Sequence, residues 1–328
     1  MSHHSRTRRV PLAASLAAIL LAAALPGAAS AEPVVAELRV EAGGTALAPG
    51  HLYVNDTARI TTDTSPACGG TGATKEVQDP TALGLLQYAQ VVSSALQPLR
   101  VSDKFSFGLL VCGVGDFVQT DEAFWLYKAN HVAPEVGGDQ FSLENGDEVL
   151  WYLSDSSAGL NTGDELALRV PSRVTPFTSF QVRAFAYDAA GKRRPAVGVR
   201  VPFGQNEVTT GEDGRATLTS GGRGSFTLRG VRGSDIPSEP LSICVGALRR
   251  DCPARRGERI HGTADDDEIK GTGGADDVRG LAGDDRIDVS GGGRDVVRCG
   301  PGNDTVVLGE QDRPRRDCEV ALTRPVTP

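Results

Sequence analysis

After its first thirty residues the chain has no apolar run approaching the roughly 20 residues that a membrane-spanning helix needs. Its cysteines form no CxxC pair, which leaves no zinc knuckle or thioredoxin-type redox motif. Histidine is scarce: beyond residue 31 only His51, His131 and His261 remain. No HExxH, GxSxG or GxxxxGK[ST] sequence occurs, so the zincin, esterase-elbow and P-loop chemistries lack their residues. His131 follows Asn130 on an expected loop and reads as a surface residue rather than a general base. Asp121-Glu122 reads as a solvated acid pair. The chain is therefore expected to be non-enzymatic. A hydrolase with dispersed acids is the second alternative, because glycosidase carboxylates cannot be recognised by spacing. The net charge of −8 has the wrong sign for nucleic acid, whose phosphates need clustered Lys or Arg.

What is present begins with a basic start (Arg6, Arg8, Arg9), an apolar run from Val10 to about Leu25, and Ala29-Ser30-Ala31. This is the pattern of a signal peptide cleaved after Ala31. Its removal takes away three arginines and no acids, which carries the net charge from −8 to −11. The mature protein is expected to be secreted, extracellular or associated with the cell wall, without a membrane span. Its six cysteines then read as disulfides. Spacing favours three local bridges, Cys68–Cys112, Cys244–Cys252 and Cys299–Cys318.

Three blocks follow. In residues 33–155, Ala36, Leu38 and Val40 alternate with Glu37, Arg39 and Glu41 as a half-buried strand. Asp79-Pro80 opens a helix, with Asp79 as its cap and Ala82, Leu85, Leu86, Ala89 and Val92 on one face. Strands are expected at Phe105–Val111, Phe124–Tyr127 and Glu148–Leu153, giving a small α+β domain. Residues 164–246 show short strand patterns between turn signals and no helical period, as in an antiparallel β-sandwich. Asp213-Gly214 is a hairpin signal between 208–210 and 216–218. Residues 257–320 are rich in Gly and Asp. From Glu258 to Glu319 there are 16 acids against 9 Lys and Arg, so most of the negative charge lies here.

This last block repeats every nine residues. Windows run 262–270, 271–279 and 280–288; Val289 is inserted, and 290–298 and 299–307 follow. The sixth position is always aspartate: Asp267, Asp276, Asp285, Asp295 and Asp304. The eighth is always β-branched: Ile269, Val278, Ile287, Val297 and Val306. The fourth is glycine in four windows: Gly274, Gly283, Gly293 and Gly302. The register resembles the G-G-x-G-x-D-x-U-x repeat of hemolysin-type (RTX) calcium-binding proteins. The resemblance implies a parallel β-roll with two repeats per coil and Ca2+ between coils. Asp267 then faces Asp285, Asp285 faces Asp304, and Asp276 faces Asp295. Calcium prefers six to eight oxygens drawn from carboxylates and carbonyls, and glycine-bent turns expose both. The second glycine of the motif is replaced by Thr263, Thr272 and Leu281, and Val289 interrupts the register. Cys299–Cys318 would tie the last turn to the tail, with Asp312–Asp317 as a solvated charged loop.

In the first block, Pro80–Leu83 with Leu85-Leu86, Phe124–Asn130 and Gly146–Tyr152 together resemble the C-terminal domain of transcobalamin and intrinsic factor. This implies a β-grasp-like fold. If that domain takes a ligand, Trp125, Tyr127 and Trp151 are its candidate surface. At alternating strand positions such aromatics are more often core or packed surface. The second block, through Val208–Thr210, Asp213–Ala216 and Gly224–Leu228, resembles immunoglobulin-like or carboxypeptidase-regulatory-like spacer domains. The expectation is a mainly β, modular, secreted protein. Its C-terminal repeats bind calcium, and its front domains engage a protein or surface polymer. Binding of a cobalamin-like small molecule by the first domain is the alternative.

Overall fold

The computed structural model describes residues 34–323 apart from 56–57, 78–79, 145, 155–162, 247–254, 262–265, 272–273, 292 and 310–311. The expected signal peptide, the Asp79 cap and Cys252 lie outside the described residues.

The first block is a mixed sheet whose order is Thr45–Asn55, Val34–Ala42, Glu148–Leu153, Trp125–Ala129. The two central strands run parallel, and each has an antiparallel neighbour at the edge. The helix Ala82–Val92 buries Leu83, Leu85, Leu86 and Ala89 in the same cluster as Leu38, Val40 and Trp151. One helix packed on a mixed four-stranded sheet makes this block the expected small α+β unit. Thr81 caps the helix, its hydroxyl accepting the Gly84 N–H at 3.1 Å. The helix therefore starts two residues later than a cap at Asp79 would place it. The Phe105–Val111 expectation also shifts: the strand is Leu110–Val114, and the segment before it is a turn. That turn leaves Phe105 and Phe107 exposed. Cys68 and Cys112 are disulfide-bonded, with Cα atoms 5.5 Å apart.

The second block sandwiches two sheets over a core that includes Leu166, Val182, Val201, Leu218, Leu228 and Ile243. One sheet holds Glu165–Arg169, Ser179–Tyr187, Arg193–Pro195 and Arg215–Thr219. The other pairs Leu241–Val245 with Gly224–Leu228 and, in parallel, with Arg173–Val174. The Asp213-Gly214 turn forms, with Gly214 donating to the Gly211 carbonyl at 2.9 Å. Its flanking strands do not pair with each other as a hairpin. Asn206–Thr209 pairs with Arg200–Phe203, whereas Arg215–Thr219 crosses to pair with Ser179–Tyr187. Cys244 is disulfide-bonded.

The polar face of the first strand is largely covered. Glu41 is buried and pairs with Arg39 and with Arg229 of the second block. Glu165, also buried, accepts from His131 Nδ1 at 3.0 Å, with Arg39 at 3.6 Å and Lys128 at 3.8 Å. His131 is thus no plain surface residue. It stacks on Tyr187, ring centroids 3.7 Å apart, and stands at φ 68° beside Asn130 at φ 51°. The period-two pattern placed these side chains on one face correctly. It carried no information that residues of the second block cover that face.

The third block is a roll of two parallel sheets. One stacks Arg255–His261, Gly274–Arg279, Val296–Arg298 and Arg313–Pro314. The other stacks Glu268–Lys270, Arg286–Val289, Thr305–Leu308 and Val320–Thr323. The chain alternates between the sheets every nine or so residues, so each coil holds two repeats. Ile269 pairs with Ile287 and Ile287 with Val306 on one side, and Val278 with Val297 on the other. These eighth-position residues form the core of the roll. Val289 does not break the stack. It extends its strand by one residue, is buried, and pairs with Leu308.

Candidate metal centre in the C-terminal roll

Asp267, Asp285, Asp295 and Asp304 each stand directly before a strand, and Asp276 lies within Gly274–Arg279, so stacking the strands stacks the carboxylates. Two columns result. In one, the Asp267 N–H donates to Asp285 Oδ1 at 3.0 Å, the Asp285 N–H to Asp304 Oδ1 at 2.9 Å, and the Asp304 N–H to Glu319 Oε2 at 2.9 Å. In the other, the Asp276 N–H donates to Asp295 Oδ1 at 2.6 Å, and the Asp295 N–H to Asp312 Oδ1 at 2.9 Å. The three pairings implied by the repeat are therefore brought together, each through one carboxylate oxygen and the backbone of the coil before it.

Two members of the columns were not singled out in the sequence. Asp312, expected in a solvated loop, is 5% exposed and continues the second column, while Arg313–Pro314 adds a strand to the sheet. Glu319 ends the first column. The available signal was weak: an acid followed two residues later by a small or apolar residue, in coils shortened from the nonapeptide spacing.

The fourth-position glycines let neighbouring coils touch backbone to backbone. A Cβ on Gly302 would overlap the Gly283 carbonyl oxygen, and one on Gly293 would stand 2.7 Å from the Ala275 nitrogen. Gly274 begins its strand and accepts the Gly293 N–H at 2.9 Å through its carbonyl. Leu281 replaces a motif glycine yet still adopts φ 88°, a conformation that costs a side chain-bearing residue.

The columns are electrostatically loaded. Asp276, Asp285, Asp295 and Asp304 are all buried. The second oxygens of Asp285, Asp295 and Asp304 have no hydrogen-bond partner among the described residues. Burial pushes the Asp295 carboxyl up to about 7, with the Asp312 and Asp276 carboxylates adding to the shift against the Asp276 N–H. Burial likewise raises Asp285, helped by Asp304, Asp267 and Asp266, and raises Asp304, helped by Glu319, Asp284 and Asp317. A buried carboxylate oxygen without a donor needs a proton or a cation. The donor set is all oxygen, which suits a hard cation such as calcium. Among the described residues no three acidic, His or Cys side chains group together as a metal cage. A cation here would therefore take two carboxylates and complete its shell from turn carbonyls. The Cys299–Cys318 disulfide, Cα atoms 5.1 Å apart, pins the last coil to the tail.

The aromatic set of the first block is also brought together. Trp125, Tyr127 and Trp151 line a cleft of ≈ 580 Å³ with Phe107 and Val136 at its rim. Both indoles are spent on the fold: Trp125 donates to the Phe117 carbonyl at 3.2 Å and Trp151 to the Ala82 carbonyl at 3.1 Å. Tyr127 stacks on Trp151 with centroids 4.9 Å apart. Phe107 is 58% exposed and stacks on Phe105.

Comparison with protein-family models, with curated proteins and with solved structures returns no significant match.

Proposed function

We propose that this is an exported, modular, non-enzymatic protein whose C-terminal roll binds calcium, and whose front domains engage a partner at the cell surface. The observation that carries the reading is the buried carboxylate oxygen left without a donor on Asp285, Asp295 and Asp304, within columns of like charge. Calcium would neutralise those columns and join successive coils. Its binding free energy would then count as folding free energy of the roll, whose apolar core is thin. The disulfides at Cys68–Cys112 and Cys299–Cys318 fit an oxidising compartment. Far-ultraviolet circular dichroism of residues 32–328, in chelator and then in excess calcium, tests the coupling. A gain of β signal and a higher melting temperature support it, and superimposable spectra and melts count against it.

A second reading rests on the aromatic cleft. Its volume suits a small molecule, and its rim exposes Phe107 and Val136. The ligand class is a ring-bearing small molecule, with a cobalamin-like compound among the probes to test.

A further inference from the structure

Arg169, Arg183, Arg193 and Arg215 are spread over nearly fifty residues of sequence, and strand register collects them on one open sheet face. Arg169 stands directly opposite Arg183, and Arg183 directly opposite Arg215, making a row across three neighbouring strands. Arg193 comes in from the fourth strand. The guanidiniums of Arg183, Arg193 and Arg169 lie 4.8, 5.0 and 5.8 Å from the centroid of a single ring, that of Phe185. Any two of them are thus separated by no more than the sum of two such distances. Arg215 has an acidic neighbour, Asp213 at 3.7 Å. Among the described residues, no carboxylate pairs with the other three.

Like charges placed directly opposite on adjacent strands oppose sheet formation. Here they recur in an exported chain whose net charge is −11 once residues 1–31 are removed. We propose that this face docks a phosphate-bearing polymer of the cell surface. The rigid guanidinium fork matches a phosphate oxyanion in a way that lysine does not, and every cation of the cluster is arginine. The occupant is not a nucleic acid. Phe185, the ring at the centre, is covered by the guanidiniums and 6% exposed, so the face offers no platform on which a base could stack. The surface is separate from the roll and rests on reading the front domains as the part that interacts.

The test uses the disulfide-intact mature chain and end-labelled inorganic polyphosphate, followed by fluorescence anisotropy in a calcium-chelating buffer. Chelation prevents polyphosphate from reaching the protein through metal on the roll, so a failure here leaves the calcium reading untouched. Saturable binding that weakens with salt is expected. The double variant Arg169→Gln/Arg183→Gln should bind at least about tenfold weaker, with the log–log salt slope reduced by about 2. Arg200→Gln, an exposed arginine on the neighbouring hairpin, should bind like the wild type. Arg169→Lys/Arg183→Lys keeps charge and stems and should bind several-fold weaker through loss of the fork; it carries the test if the glutamine variant does not fold. The proposal is overturned by no binding, by a double variant that binds as tightly as wild type, or by dextran sulfate or single-stranded DNA displacing polyphosphate at lower charge concentration than polyphosphate displaces itself.

Discussion

The backbone N–H of Asp295 donates to Oδ1 of Asp312 at 2.9 Å, although 17 residues separate them. The bond extends an acidic column past the last regular nonapeptide. It also makes the stretch that looked like a charged loop the final coil of the roll. Removing that acceptor leaves a buried N–H unpaired, at a cost of about 1–3 kcal/mol. Asp312→Ala should therefore destabilise the calcium-free roll by that amount in urea melts. Asp312→Asn keeps an acceptor and should cost clearly less. Equal effects would show that the hydrogen bond is not what matters.

Without metal, the roll should be more stable in mild acid than in mild base. The Asp295 carboxyl ionises at about 7 in the folded protein and near 3.9 in the unfolded chain. Between those values the folded state holds the extra proton, so stability falls as pH rises from about 4 to about 7 and then levels off. Melting temperatures in chelator at pH 5 and pH 8 measure this. Asp295→Asn should flatten the Asp295 contribution to the slope.

His131 predicts a dependence on pH where it meets Glu165. Burial alone would lower its pKa, but the hydrogen bond to Glu165 and the carboxylates of Glu165 and Glu148 raise it above its ordinary value. Its contribution is fully present below the unfolded value of about 6.5 and fades as pH climbs through the raised folded value. His131→Asn should cost about 1.5–3 kcal/mol at pH 6, the range for a hydrogen bond to a charged group, and less at pH 9. Guanidinium unfolding of both proteins at the two pH values decides it.

Leu281 gives a test of the repeat logic in isolation. A left-handed leucine costs about 1–2 kcal/mol, while glycine adds up to about 1 kcal/mol of unfolded-state freedom. Leu281→Gly should be neutral or stabilising by up to about 1 kcal/mol. A loss of stability would mean that the half-exposed side chain contributes packing that the turn geometry hides.

The chain has two tryptophans, Trp125 and Trp151, and both line the aromatic cleft. Tryptophan emission, excited selectively over tyrosine, therefore reports on that cleft. If it takes apolar rings, anilinonaphthalene sulfonate or cobalamin should quench the emission saturably. Phe107→Ala should weaken the effect about tenfold, the result of losing roughly 1.4 kcal/mol of contact. Unchanged emission at high ligand concentration would dismiss the second reading.

The parts of this fold that were readable from sequence are those written as periods. The nonapeptide spacing of Asp267, Asp276 and Asp285 carries the repeating strand and turn, because both recur at fixed offsets; the two-repeat coil is what the resemblance to hemolysin-type repeats implies. The alternation at Ala36–Glu41 carries a strand with two unlike faces. What stayed hidden depends on contacts distant in sequence. Nothing near Glu41 indicates Arg229, and nothing near Arg169 indicates Arg183 or Arg215 on adjoining strands. Asp312 and Glu319 escaped because their coils are shorter than the repeat and close on Pro314 and Ala321 rather than on a β-branched residue.

Calorimetric titration of residues 32–328 with calcium, alongside Asp285→Asn/Asp304→Asn, tests the central claim most directly. The account predicts saturable heat for the wild type, with stoichiometry and affinity both reduced in the double variant. Absence of heat in the wild type, or a double variant that titrates identically, would contradict it.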